Sequence, residues 1–340
     1  MEQFDLFVGI DIAKKDFAVN LFLPGKDSVK APCKYLNSPA GVAKCLEWLE
    51  RKHPGKALFC MEDTGSYSET VAMVLGELKY AVWVEHASRI KASFGTDLGK
   101  DDDLDAKRIA EYAWRYRDRF KPYEAPSADV EEIRALLSVR QVLVREKVAH
   151  MNELKDMKLR AHQPLKAIGF LQEAIAELER REKEIRKEIE TLLPSKNEEG
   201  QACTCVRSIP GVGLILTASL AVYTNGFRKV PDGRKLAAYM GVCPRTHESG
   251  SSIKRKPRST GYGPGTMRTL FFLACCVIKQ RPGFFRSYAL RKEGEGKPKM
   301  VVINALRNKL AHLICALIRT KQQFIESYVS IEPRLSLKIA

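Results

Sequence analysis

The segment Asp101-Asp102-Asp103-Leu104-Asp105 concentrates carboxylates at the entrance of an apolar-periodic run over residues 106–113, in a chain whose formal net charge is +16. Asp102 and Asp105 stand three apart, so on a helix they share one face and can point at one divalent cation. Two further acids suit the same role. Asp11 follows the apolar run 6–10 and Glu62 follows the run 57–61, and acids at the carboxyl ends of short strands lie where open α/β sheets place their ligands. Carboxylates from separate strands and a helix suit Mg²⁺ or Mn²⁺, because hard cations prefer oxygen and octahedral Mg²⁺ keeps several waters and shares phosphate oxygens. A pair of such ions about 4 Å apart polarises a phosphate, lowers the pKa of an attacking hydroxyl and stabilises the leaving oxygen, so phosphodiester chemistry follows. Taken singly, each acid reads equally as a helix cap or surface charge; Asp103 is placed to cap the helix and Asp63 to be solvated.

A second polar stretch, His247-Glu248-Ser249-Gly250-Ser251-Ser252, reads as a small-residue loop between residues 239–242 and the basic run Lys254-Arg255-Lys256-Pro257-Arg258. Such loops usually only connect, yet a nucleophilic serine needs exposure and backbone freedom, which Gly250 gives, and neighbouring cations draw in phosphate. No serine–histidine–acid triad is readable, so His247 is an incidental loop residue and any activation of Ser249 falls to the metal site. The basic run, with Arg245 and Arg268 nearby, reads as a phosphate-contacting surface against the alternative of a solvated loop. Upstream, Ile209-Pro210-Gly211-Val212-Gly213 precedes the apolar run 214–222. In helix–hairpin–helix modules a turn of this kind lets backbone N–H groups at Gly211 and Gly213 meet a phosphate at a helix N-terminus; a plain helix-connecting turn competes.

The elements that must position these residues follow from periodicity. Residues 6–10 and 17–22 read as two strands joined by a turn at 13–16, and Pro24-Gly25 stops the second. A helix at 41–51, a strand at 57–61, a helix at 66–78 and a strand at 80–84 follow, which is an α/β alternation. Beyond Pro122 and Pro126 the pattern changes to long helices at 130–161 and 168–193. In the second of these, Ile168, Leu171, Ile175, Leu178, Ile185, Ile189 and Leu192 form a near-heptad stripe, as in an antiparallel coiled hairpin. Residues 194–201 read as a polar linker, and helices at 266–279 and 301–318 pack a second domain, with Phe271, Phe272, Phe284, Phe285 and Trp114 as core residues and not base-stacking platforms.

Fifty-seven Lys and Arg against forty-one Asp and Glu, in 340 residues with 45% hydrophobic content, exclude general disorder and point to a polyanionic partner, since neutralised phosphates release counterions. Nine cysteines show no disulfide framework, and Cys203-x-Cys205 and Cys275-Cys276 lack zinc spacing, so they read as core or incidental thiols. No signal peptide is recognisable at residues 1–11 and apolar runs such as 270–278 are too short to span a bilayer, so a cytoplasmic protein with no membrane partner is expected.

Four motifs in order, Val8-Gly9-Ile10-Asp11-Ile12-Ala13-Lys14, Met61-Glu62-Asp63-Thr64-Gly65-Ser66-Tyr67, Lys100-Asp101-Asp102-Asp103-Leu104-Asp105-Ala106 and Glu248-Ser249-Gly250-Ser251-Ser252, resemble the DEDD transposases of bacterial insertion sequences, the "one-ten" family of bridge-RNA-guided recombinases. The resemblance implies a RuvC-like, RNase H-like metal-binding domain over residues 1–126, a coiled-coil arm over 127–195 and a mainly helical C-terminal transposase domain over 196–340. It assigns Asp11, Glu62, Asp102 and Asp105 as the Mg²⁺-binding acids and Ser249 as the nucleophile. It further implies donor and target DNA, a structured guide RNA, a homo-oligomer that is a dimer or dimer of dimers, and a bacterial, nucleoid-associated location.

Three functions compete. The first is a DNA recombinase in which the metal acids and Ser249 jointly cut and exchange strands, with base pairing reading sequence while the protein holds backbone. The second is an RNase H-like nuclease or junction resolvase with water as nucleophile. The third is a non-catalytic architectural binder, against which the acids argue, because a binder would not put carboxylates where phosphate must go.

Overall fold

The computed structural model describes residues 4–26, 28–94, 102–193, 197–229, 232–249, 253–259 and 263–326. The chain divides into two compact units, residues 1–125 and 126–340.

In the first unit β1 (Leu6–Ile12) and β2 (Asp16–Phe22) are buried along nearly their whole length, so both faces of their sheet are covered. They form an antiparallel hairpin whose turn is closed by the Ala13 N–H donating to the Asp16 carbonyl (2.9 Å). Two-residue strands β3 (Val29–Lys30) and β4 (Tyr35–Leu36) extend the sheet from β2. On the other side β5 (Ala57–Glu62) pairs parallel with β1, and β6 (Ala81–Glu85) pairs parallel with β5, giving the order β3-β2-β1-β5-β6. Leu6, Val8 and Ile10 share one face with α1 (Pro39–Lys52) and α2 (Ser66–Glu77). Phe7, Leu58, Cys60 and Trp83 pack on the opposite face against Ile90 of α3 (Ala87–Ala92) and Ile109, Tyr112 and Ala113 of α4 (Asp102–Arg115). The expected α/β alternation is present. Its strands differ from the sequence reading at their ends: β1 runs on to Ile12, placing Asp11 inside the strand, and β5 includes Glu62.

The second unit begins with a helical hairpin. Ser127 caps α5 (Ala128–Lys158) by accepting from the Val130 N–H, and α6 (Leu165–Leu192) returns alongside it. Glu182 of α6 accepts from both Arg140 (2.7 Å) and Lys147 (2.9 Å) of α5; burial pushes its carboxyl up, but the two cations outweigh burial and hold it below the usual carboxylate range. Ile133 and Ile189, at the root of the hairpin, are buried in the unit's main core. Val139, Val142, Val148, Met151 and Phe170 remain exposed along it.

That core is built from α7 (Asn197–Arg207), α8 (Leu214–Tyr223), α9 (Gly233–Tyr239), α10 (Gly265–Gln280), α11 (Phe284–Gly294) and α12 (Lys299–Thr320). Residues 197–201, expected in a linker, are instead the first turns of α7, fastened by Glu198 to Lys321 (2.7 Å) and by Glu199 to Arg228 (2.7 Å). α12 is long and apolar enough to cross a bilayer by length and composition, a property the shorter apolar runs had hidden. Here its apolar residues Leu306, Leu310, Ala311 and Ile314 are fully buried in the helical core. Cys203, Cys205 and Cys275 are core thiols, as expected, and all nine cysteines are free. Phe271 and Phe285 are also core, whereas Phe284 is 53% exposed, its outer ring lying under the Lys309 ammonium at 5.3 Å.

Candidate active site

The register of the parallel strands sets the first part of the site. Ile10 stands opposite Met61, so Asp11 and Glu62, one residue further along each strand, occupy the next level of the sheet on the same face. Glu62 in turn stands opposite Glu85 on β6. Asp11, one residue before the end of β1, and Glu62 and Glu85, the last residues of β5 and β6, therefore stand side by side on three adjacent strands. Asp11 and Glu62 are half-buried and Glu85 is buried, a degree of burial that scattered surface carboxylates do not show.

Helix α4 is brought onto this face by the one residue that lets a backbone pass closely. A Cβ on Gly9 would lie 2.1 Å from the Ala106 carbonyl oxygen and 2.3 Å from the Ala110 nitrogen, so only glycine allows the contact. Ala113 and Tyr112 pack toward Phe7 and Trp83, which directs the other end of the helix, with Asp105 and Asp102, toward the Asp11 end of β1. Asp105 is partly exposed and paired to Arg108 at 3.1 Å, within its own helix. Asp102 lies in the first turn of α4 with its side chain outside the described residues, as does that of Asp103; Asp101 lies outside them altogether. Among the described residues no three acids, histidines or cysteines converge into a metal cluster. The donor set itself, carboxylates alone at the end of a sheet, is that of a hard divalent cation. Asp63 shapes the backbone: its carboxylate accepts from the Gly65 N–H (3.1 Å) and fixes the turn into α2.

Glu85 escaped the sequence reading, although it ends the apolar run 81–84 by the same rule that singled out Asp11 and Glu62. It accepts from the Tyr112 hydroxyl (3.3 Å), the Arg89 guanidinium (3.2 Å) and the His86 N–H (2.8 Å). Burial and then Glu85 push the Tyr112 hydroxyl up to about 12. Beneath the acid row, burial followed by Glu85 and Glu62 drives the Cys60 thiol far above its usual range, which places both carboxylates close to it.

Ser249 belongs to the second unit. The expected loop around it is a β-hairpin: β7 (Pro244–Ser249) pairs antiparallel with β8 (Ile253–Ser259), and Ser249, opposite Ile253, is the last residue of its strand. Residues 250–252 lie outside the described part. The basic run is thus a strand, with Lys254 facing position Glu248, Arg255 facing His247 and Arg258 facing Arg245; Lys256 and Pro257 fall beside an irregularity between Arg245 and His247. Pro257, which has no N–H to give a ladder, sits at the irregular, unladdered point of this pairing and so does not break the strand. Both ends of the hairpin are fastened. Asn304 of α12 donates to the Val242 carbonyl (2.9 Å), Arg268 of α10 donates to the Gly263 carbonyl (3.0 Å), and a Cβ on Gly263 would meet the Tyr239 carbonyl oxygen at 1.7 Å.

Gly211 has a packing role. Its φ is +84° and a Cβ there would lie 2.7 Å from the Ala274 carbonyl oxygen of α10, so it is a close helix contact as much as a turn. Gly213 is the N-cap of α8 and open space surrounds it.

Comparison with known proteins gives the family. A family model described as a transposase, of the DEDD type, matches residues 8–164, and a second, described as the transposase IS116/IS110/IS902 family, matches residues 203–289. The pilin gene-inverting protein of Moraxella lacunata is 26% identical over 326 residues, 94% of this chain and 97% of the relative. A probable family 20 transposase of Pseudomonas aeruginosa is 27% identical over 342 residues, covering 92% and 96%. The transposase for the insertion sequence element IS1111A of Coxiella burnetii is 28% identical over 176 residues, 45% of this chain and 48% of the relative. With both family models matched in order along the chain, it belongs to the IS110 family of insertion-sequence transposases and is a DNA transposase/recombinase.

Proposed function

We propose that this transposase cuts and exchanges DNA strands with a serine nucleophile and a carboxylate metal site, guided by a structured RNA. The first unit is read as RNase H-like, in the manner of RuvC, on the strength of its antiparallel hairpin continued by parallel strands. Asp11, Glu62, Asp102 and Asp105 would hold Mg²⁺ or Mn²⁺; the observation that carries this is the alignment of Asp11 and Glu62 on adjacent strand ends, with the acidic end of α4 directed to the same level. Bound there, the ion would supply charge neutralisation at a phosphate and would acidify an attacking hydroxyl.

Ser249 Oγ then attacks phosphorus. An Oγ–P bond forms, one backbone P–O bond breaks, and the departing sugar oxygen takes a proton; the hydroxyl of the exchanging strand later attacks the same phosphorus and returns the proton to the serine. The bond count is unchanged, so no external energy source is needed. Relatives named for inverting a gene and for transposing insertion elements favour this rejoining over release by water. The basic hairpin, with Arg245, Lys254, Arg255, Lys256, Arg258 and Arg268, is read as holding DNA backbone, and Gly213 as offering a helix N-terminus to a phosphate. A guide RNA that reads donor and target sequence accounts for so much positive charge without a base-reading module. The domain assignment we favour is 1–126, 127–195 and 196–340, with the middle part a coiled-coil arm that dimerises the protein through its exposed Val139, Val142, Val148, Met151 and Phe170. The site of action is the bacterial cytoplasm, on the nucleoid.

Covalent trapping separates this reading from hydrolysis. Wild-type protein reacted with nicked or mismatched substrate DNA and denatured should carry DNA on Ser249, and Ser249→Ala should lose both adduct and recombination while still assembling. Nicking by the mutant, with no adduct in the wild type, would establish water as nucleophile. An adduct mapping to Ser251 or Ser252 would preserve the mechanism and reject the residue.

A further inference from the structure

Helix α12 carries a polar stripe, Asn304, Arg307 and Asn308, which repeats at i, i+3 and i+4 and so shares a face. The stripe lies against the rooted end of the Ser249 hairpin, where Asn304 holds the Val242 carbonyl. Arg307 Nε is buried there with no hydrogen-bond partner, and the Oδ1 atoms of Asn304 and Asn308 are buried and unpartnered too. A half-turn of the Asn308 amide exchanges that acceptor for two donors. Among the described residues no carboxylate is paired with Arg307; the charged group that bears on it is a second guanidinium, Arg268, which fastens the other end of the hairpin through Gly263. Burial lowers the Arg307 pKa and Arg268 adds to it, outweighing the opposing influence of the Cys275 and Cys276 thiols.

A half-buried guanidinium beside a like charge and without an acid costs stability in the free protein. It is the arrangement an anion completes, and the planar fork of arginine matches two phosphate oxygens. We propose that Arg307, with Arg268 and the Asn308 amide, is a phosphodiester-binding site at the base of the hairpin, taking the DNA backbone. The proposal rests on the reading that DNA lies along this hairpin, and is independent of which atom attacks phosphorus. Its position is what makes it useful: a phosphate gripped between α10 and α12 fixes the strand relative to the two residues that anchor Ser249's hairpin.

The test is binding of a duplex DNA of arbitrary sequence to the full-length protein, followed by fluorescence anisotropy across a KCl series, with thermal unfolding alongside. Arg307→Met keeps volume and removes the unpaired charge, so affinity should fall roughly tenfold, as for one lost hydrogen bond to a charged group. The log–log salt slope should shrink by about 0.9, one phosphate contact, and the unfolding midpoint should hold or rise. Arg307→Lys should restore the slope but not the full affinity. Unchanged affinity and slope in Arg307→Met would overturn the site, as would a lowered midpoint in both variants with the slope intact, which marks a structural residue. Weakened binding of a structured RNA with unaltered DNA binding would also overturn it. Ser249→Ala, measured in parallel, should bind as the wild type does; if it still exchanges strands, the nucleophile assignment fails while the phosphate site stands.

Discussion

The acids and the serine are positioned by opposite means. Asp11 and Glu62 stand on strands whose preceding residues, Val8, Ile10, Cys60 and Met61, are at most 1% exposed, in a sheet covered on both faces. Ser249 ends one strand of an isolated two-stranded hairpin, an element that is marginal on its own and is fixed through its ends by Asn304 and Arg268. On the function proposed above, the difference suits the part given to each. Octahedral Mg²⁺ demands ligands held near ideal geometry, which register in a buried sheet supplies. The proposed nucleophile, which would leave with DNA and return, needs a platform fixed at its base.

The largest effect that sharpens this contrast should come from the acid row. Asp11→Asn and Glu62→Gln preserve shape and remove one charge, so strand cleavage should fall roughly a thousandfold or more, equivalent to several kcal/mol of lost charge stabilisation. DNA affinity and the unfolding midpoint should stay near wild type. A gel assay of cleavage beside thermal denaturation decides it, and near-normal cleavage by both variants would remove the metal role from the strand ends.

These two acids were legible because apolar runs of strand length ended on them. Their exact setting was not: the reading stopped β1 before Asp11, and Glu85 went unnoticed because a lone acid after residues 81–84 has no sequence neighbour of its kind. The pairing that unites Glu85 with Glu62 is long-range. The hairpin was illegible for a different reason, since Lys254-Arg255-Lys256-Pro257-Arg258 has neither apolar alternation nor β-branched residues, and its strand conformation depends on pairing with residues earlier in the chain and on anchors from α10 and α12. Short α3, α9 and α11 and the two-residue β3 and β4 carry no periodic signal of their own, and the polar opening of α7 gains its helix from ion pairs to residues far along the chain.

Two glycines test whether the units also differ in tolerance. Gly9→Ala drives a Cβ into the backbone of α4 from a position within the central strand, where neither partner can yield, and should destabilise the protein by about 3 kcal/mol or more and abolish activity with it. Gly211→Ala meets the Ala274 carbonyl oxygen at 2.7 Å with φ at +84°, a milder overlap on an exposed turn, and should cost about 1–3 kcal/mol. Denaturant titration ranks them. A larger loss at Gly211 would mean that the helical unit, and not the sheet, is the less forgiving frame.

The smallest effect concerns the link between the acid row and α4. Tyr112 is held protonated to about pH 12 by burial and then by the neighbouring Glu85 carboxylate, which accepts its hydrogen bond, against an ordinary value of 10.0. A group whose folded pKa lies above its unfolded pKa contributes stability that is complete below the unfolded value and is lost as pH rises through the folded one, because the unfolded chain releases its proton first. Stability should therefore decline between about pH 10 and pH 12. Other tyrosines share this limb, among them Tyr80 and Tyr223, each also raised to about 12, so the wild-type curve alone does not isolate Tyr112. Tyr112→Phe does: it deletes the titrating proton and one hydrogen bond to Glu85, and should lower stability at neutral pH by about 1–3 kcal/mol, the cost of removing a partner from a buried carboxylate. The gap between mutant and wild type should then narrow through the alkaline limb. Chemical denaturation at about pH 8, 10 and 11 measures that gap, and a difference that stays constant across the three would show that Tyr112 positions α4 by packing on Trp83 and not by its bond to the third acid of the row.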